Sequence, residues 1–328
     1  MQFLRRILSI FLRISISIVM LVLLFKITKI DTASLLQHLK TADKRLLSLA
    51  FVTYFLTYVL CLFRWRMLLK GAGIDLPLRR LIISFSGGTF FSIFLPSTIG
   101  GDFMRSADLA VYTKKTKEVI ATVFLDRLSG YIGLVILVLL SLLFGWKLVE
   151  DSSVIISIAV ITGLLVSILL VLFNNFLYLK ITGLLNAGKA GRIREAIRRL
   201  HHEIYIFRHQ KKIILNNLIL SFIVQAVTPL TFFLIALSLG IKVKIIYFFV
   251  FLPIIGAITL LPISIGGLGL RETSTVFYFS KIGVDEHLSL AMSLLSFSFI
   301  LIYGALGGII YALTIRHRRI QHNKPSSV

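Results

Sequence analysis

Several apolar runs in this chain reach the ~20 residues that a helix needs to cross a bilayer. The longest are Ile213 to Leu239 and Leu288 to Ile315. Inside hydrocarbon, unpaired backbone groups have no water to bond, so only helices and closed barrels can span. Runs of this length, without two-residue alternation, are helical. The expected fold is therefore an all-α polytopic membrane protein, read as one integral domain over residues 1–328. Hydrophobic residues are 57% of the 328 and mean hydropathy is +0.93, well above a soluble domain. Lys and Arg outnumber Asp and Glu by 36 to 14. In such a chain the excess reads as basic cytoplasmic loops and contact with anionic headgroups, not as a nucleic-acid surface. Arg13 and the continued run to Phe25 argue for an uncleaved first span instead of a signal peptide. The single cysteine, Cys61, excludes an internal disulfide.

One phrase occurs twice. Leu95-Pro96-Ser97-Thr98-Ile99-Gly100-Gly101-Asp102-Phe103-Met104-Arg105 matches Leu261-Pro262-Ile263-Ser264-Ile265-Gly266-Gly267-Leu268-Gly269-Leu270-Arg271 at Leu, Pro, a hydroxyl residue, Ile, Gly-Gly and Arg, 166 residues apart. The chain therefore has two related halves, each with one non-helical point.

Six full spans are expected, at about 11–27, 46–62, 119–144, 154–173, 213–239 (with Pro229 as a kink) and 288–315. The polar linker 31–45 has an amphipathic pattern and is expected at the interface. The segments leading into the two phrases, Leu81 to Leu95 and Ile245 to Leu261, stop at Pro96 and Pro262. The N-terminus, the 64–80 and 114–117 loops, the long basic loop 180–212 and the tail with Arg316, Arg318 and Arg319 are all placed inside by their charge. Two basic loops flanking the first phrase can share a side only if the chain between them enters the membrane and returns. By the same logic the second phrase enters from the other face, although Lys242 and Lys244 are then basic residues outside. The expected plan is an inverted-topology repeat: residues 46–145 as the first copy and 211–315 as the second, with a site near the midplane. A full crossing by Leu81–Leu95 and a returning polar helix stays open as the alternative.

Proline ends the incoming helix, and Ser97, Thr98 or Ser264 suits the N-cap of the outgoing one. Gly100-Gly101 and Gly266-Gly267 let backbone come close and leave N–H groups free. A helix N-terminus attracts anions, and Arg105 and Arg271, one turn in, could grip a phosphate bidentately. The plain alternative is a tight turn with Arg paired to a carboxylate. Asp102 is expected either to favour its own helix dipole or to pair with Arg105. Glu272 is the matching acid for Arg271, since Leu268 stands where Asp102 would. Asp126 and Arg127 lie inside a span, as coupling groups or as an ion pair. Arg64 and Arg66 read as stop-transfer residues touching headgroups. His201, His202, Glu203 and His209 are read as a solvated helix and not as a metal site. No cofactor motif is present.

The two Pro…Gly-Gly…Arg phrases, the run Ala121…Asp126-Arg127…Gly130 and Gly267-Leu268-Gly269-x-Arg271-Glu272 together resemble the flippase-like, lysylphosphatidylglycerol synthase transmembrane-region family. The resemblance implies a polytopic domain that, in the best-understood members, flips an aminoacylated phospholipid. In those members a soluble aminoacyl-transferase domain follows. The sequence ends at Val328, soon after the last span, so lipid synthesis is not expected of it. The expected function is translocation of an anionic or phosphate-bearing lipid headgroup across the cytoplasmic membrane, with anionic lipids as partners. The alternatives are a secondary transporter of a soluble anion and a non-transporting membrane partner of a lipid-modifying enzyme. An enzyme acting alone is not expected.

Overall fold

A computed structural model describes residues 32–94, 98–145, 152–173, 210–259, 264 and 266–322, with isolated positions 15, 22 and 26. The described residues form ten helices and no strand: α1 (Thr32–Thr41), α2 (Lys44–Gly71), α3 (Leu78–Phe94), α4 (Thr98–Thr113), α5 (Thr116–Gly145), α6 (Ser152–Phe173), α7 (Lys211–Ser238), α8 (Ile245–Thr259), α9 (Leu270–Ser280) and α10 (Glu286–His322). The first expected span (11–27) and nearly all of the 180–212 loop, with its histidines, lie outside the described residues. The chain is an all-α membrane protein. Four helices, α2, α5, α7 and α10, are long and apolar enough to cross a bilayer. Proline does not end helices α7 and α8, which run through Pro229 and Pro253.

Helices α2 and α7 are antiparallel neighbours. At one end the Asp43 N–H donates to the Ser238 carbonyl at 2.8 Å; at the other, Gln210 Nε2 donates to the Gly71 carbonyl at 2.8 Å. The Asp43 carboxylate also caps α2, accepting from the N–H groups of Arg45 and Leu46. Both long helices end alike. Gly73 and Gly240 take φ of +69° and +77°, and the N–H groups of Ile74 and Ile241 reach back to the carbonyls of Leu69 and Ala236 at 2.9 Å. This is the left-handed Schellman end that glycine adopts without a Cβ penalty. It is a second repeated feature, Gly-Ile at 73–74 and 240–241.

From these opposite ends the chain enters two helical hairpins, α3/α4 and α8/α9. At ~1.5 Å per residue their 17-, 16-, 15- and 11-residue legs are about 25, 24, 22 and 16 Å long. A hydrocarbon core is about 30 Å thick, so none of them crosses it upright. The first hairpin returns to the end it left, because Lys115 Nζ, just past α4, donates to the Gly73 carbonyl at 3.0 Å. The second returns likewise: Leu239, past α7, packs with Val276 of α9 and with Leu290 and Ala291 of α10. The two tips meet, and a Cβ placed on Gly266 would lie 3.6 Å from the Ile93 carbonyl oxygen.

Packing among these eight helices is closed under exchange of α2 with α7, α3 with α8, α4 with α9 and α5 with α10. Thus α3 packs on α10 as α8 packs on α5, and α7 packs on α5 as α2 packs on α10. The main core joins Phe232, Ile235, Phe248, Phe251 and Phe279 from α7, α8 and α9. A smaller core joins Trp65, Leu69, Leu81, Leu109 and Val119 at the base of the first hairpin.

Candidate functional site

The first hairpin carries its charges on the buried side of an amphipathic helix. On α4, Phe103 and Val111 are exposed at 68% and 82%, whereas Arg105 and Leu109 are buried. Arg105 therefore points into the bundle, where a lone guanidinium would be costly. It meets two carboxylates. Arg105 Nε donates to Asp102 Oδ1 at 2.9 Å, three residues away on the same face, and Nη2 donates to Asp126 Oδ2 of α5 at 2.9 Å. The other Asp126 oxygen accepts from Arg64 Nε of α2 at 2.6 Å. The other Asp102 oxygen accepts from Arg127 Nε. Among the described residues, three guanidiniums thus share two carboxylates.

Aromatic rings and a third helix complete the cluster. The Arg105 guanidinium lies 4.6 Å from the Trp65 ring centroid and 5.6 Å from that of Phe85, within cation–π range. Trp65 Nε1 is anchored on Thr122 Oγ1 at 3.2 Å. From α7, Ser221 Oγ accepts from Arg64 Nη1, Asn217 Nδ2 donates to the Arg64 carbonyl, and Gln225 Nε2 donates to the Gly130 carbonyl. Beside these groups lies a cavity of about 290 Å³, bordered by Arg64, Arg105 and Arg127, by Asp102 and Asp126, and by Gln225, with Cys61 in its wall. Arg105 keeps Nη1 buried and without a partner among the described residues. A positively charged, partly polar cavity with an unsatisfied guanidinium nitrogen suits an anion.

The second hairpin builds a different centre. Arg271 turns to its own neighbour, donating from Nε and Nη2 to Glu272 Oε1 at 3.0 and 2.8 Å. The other Glu272 oxygen accepts the Gly269 N–H at 2.6 Å, and Ser293 Oγ reaches Oε1 at 3.3 Å. The Arg271 guanidinium sits 4.4 Å from the Phe297 ring centroid. Here charge is balanced, and the carboxylate already caps the helix N-terminus.

The duplicated phrases are therefore not structural copies. Ser97 lies outside the described residues, and Thr98 opens α4 as its first helical residue. Gly100 and Gly101 lie within the first turns of α4. A Cβ on Gly101 would come 2.3 Å from the Gly88 carbonyl oxygen, so this glycine lets α3 and α4 touch. Gly266 and Gly267, at φ +59° and +76°, lie in turns ahead of α9. The expectation that Ser264 caps the outgoing helix is corrected. Gly269 holds the N-cap position, because Glu272 reaches it, and Ser264 Oγ is buried and unpartnered among the described residues. Of the two readings of Asp102, the pairing with Arg105 is present. The reading of Arg64 as a headgroup contact is also corrected: it is buried at 7% and held by Asp126.

Sequence reading missed Arg64, Trp65 and the α7 residues. Asn217, Ser221 and Gln225 recur every four positions along an otherwise apolar span, so a polar stripe facing protein was legible there. Arg64 carried no such signal, because its partner Asp126 is 62 residues away.

A family model described as "Lysylphosphatidylglycerol synthase TM region" matches residues 10–308. The UPF0104 membrane protein PH1989 of Pyrococcus horikoshii is 25% identical, covering 77% of this chain and 82% of its own length. A UPF0104 membrane protein of Methanothermobacter thermautotrophicus is 26% identical, covering 77% of this chain and 80% of its own. With nine-tenths of its length under one family model, the chain belongs to the lysylphosphatidylglycerol synthase TM region family.

Proposed function

We propose that the protein moves an anionic, phosphate-bearing lipid headgroup across the cytoplasmic membrane, without chemistry of its own. Residues 46–145 and 211–315 act as two inverted repeats, and both chain termini lie on the cytoplasmic side. The reading is carried by Arg105, which borders the cavity with Nη1 buried and unpartnered. Arg64 and Arg127 supply the remaining positive charge. Helix α4 favours a lipid over a soluble anion, since apolar Phe103 and Val111 are exposed on its outer face while Arg105 borders the cavity. A headgroup can sit inside while its tails stay in the bilayer. Rocking of one repeat against the other would then alternate access. Gly101 of the first phrase lies in the wall of this cavity. Ser264, Gly266, Gly267 and Arg271 belong to the opposing tip.

Reconstitution into liposomes with a fluorescent anionic phospholipid tests this. The native protein should move label between leaflets, and Arg105→Gln should abolish the movement. Uptake of a water-soluble anion without lipid movement would replace this reading with a secondary transporter. Neither activity, with a lipid-modifying enzyme co-purifying, would replace it with a membrane partner.

A further inference from the structure

The two carboxylates of the cluster are held differently. Each oxygen of Asp126 is bound to its own arginine, its side chain is 4% exposed, and Arg64 is held in turn by Ser221 of α7. It ties α2, α4, α5 and α7 together. Asp102 lies in the first turns of α4, close to the hairpin tip, and is 13% exposed. Its partners are Arg105 and Arg127, and the Arg127 side chain is 31% exposed. A carboxylate with one oxygen on each of two guanidiniums presents what two oxygens of a phosphate would present there.

We infer that Asp102 is a built-in competitor of the ligand: it holds the place between Arg105 and Arg127 that a phosphate anion takes, and leaves it when the phosphate binds. This rests on the reading that the cavity takes an anion. If Asp102 stayed, two anionic groups would crowd one pair of arginines and repel each other. If Asp102 leaves, a singly charged phosphodiester replaces one carboxylate charge with another, and the charge balance of the cluster is unchanged. The exchange gives a means of release, because the returning carboxylate displaces the headgroup. It is confined to the first half. Glu272, the corresponding acid, is fully buried, also caps Gly269 and accepts from Ser293, so it has no room to leave.

Cys61, the one cysteine in the chain, borders the cavity and reports its occupancy. The full-length protein in detergent is treated with a water-soluble methanethiosulfonate. Protection of Cys61 is titrated with a short-chain phosphatidylglycerol and, separately, with inorganic phosphate. Protection by the lipid at concentrations where phosphate gives none identifies a headgroup as the ligand; equal protection by both identifies free phosphate. In either case Asp102→Asn should tighten protection about tenfold, as removal of a charge-assisted competitor implies, and Arg127→Gln should weaken it. Should the Asn variant fail to fold, Asp102→Ser makes the same test. The competitor role is overturned if removing the Asp102 charge weakens protection or leaves it unchanged while Arg127→Gln still weakens it. Failure of both probes to protect native Cys61 at any concentration would overturn the anion reading itself.

Discussion

Replacing Asp126 by Asn keeps the volume of the side chain and removes the charge between two guanidiniums. Asp126 accepts from Arg64 at 2.6 Å and from Arg105 at 2.9 Å, with all three side chains at most 8% exposed. The variant leaves three arginines facing one aspartate. Removing one member of a buried pair typically costs about 3–5 kcal/mol, because the other charge stays buried without compensation. The matching change at Asp102 should cost less, since Asp102 and Arg127 are 13% and 31% exposed and Arg105 keeps Asp126 as a partner. The discriminating quantity is this ordering. Unfolding in mild detergent, followed by the fluorescence of Trp65 in a Trp146→Phe background, measures it. An Arg64→Met, Asp126→Asn cycle adds a second check: the double variant should lose much less than the sum of the single ones. An Asp126→Asn protein within about 1 kcal/mol of native, or one more stable than Asp102→Asn, would refute the claim that Asp126 is the structural member of the cluster.

Other outcomes follow from the same geometry. Gly101→Ala keeps the backbone N–H but drives a methyl against the Gly88 carbonyl, so it should destabilise by about 1–3 kcal/mol and impair lipid movement; a Gly101→Ala protein with native melting would refute the close-approach role. Gly307→Ala places its Cβ 2.8 Å from the Ser86 carbonyl oxygen and should part α3 from α10, at a similar cost in the same assay. Glu272→Gln removes the carboxylate that neutralises Arg271 and caps Gly269, and should cost about 3 kcal/mol in unfolding. Asp43→Ala loses a helix cap and should cost about 1 kcal/mol, with lipid movement retained in liposomes.

Much of the architecture was legible in the residues, and the reasons are physical. Long apolar runs dictated helices, and basic loops on both sides of residues 81–113 favoured a hairpin over a full crossing; the Lys115–Gly73 contact brings both its ends together. Both outcomes rest on local composition, where solvent decides. The candidate site was legible only in part. Asp102 and Arg105 are brought together by helical spacing, and Arg271 and Glu272 are adjacent in the chain. The Arg64–Asp126 pair depends on how α2 lies against α5, which no spacing encodes. The difference between the two phrases turned on one residue. Gly269, absent from the first copy, gives Glu272 an N–H to cap, and α9 begins there instead of at Ser264. The Gly-Ile pairs at 73–74 and 240–241 mark the two matching helix ends in the residues themselves.

The most direct measurement is the position of phosphorus in a structure of the protein with a co-purified or added anionic lipid. The account predicts phosphorus density in the cavity beside Cys61, bonded by Arg105 and Arg127, with Asp102 swung away and the Arg64–Asp126 pair intact. Phosphate density at Arg271 with the first cavity empty, or a headgroup bound while Asp102 still bridges Arg105 and Arg127, would contradict it.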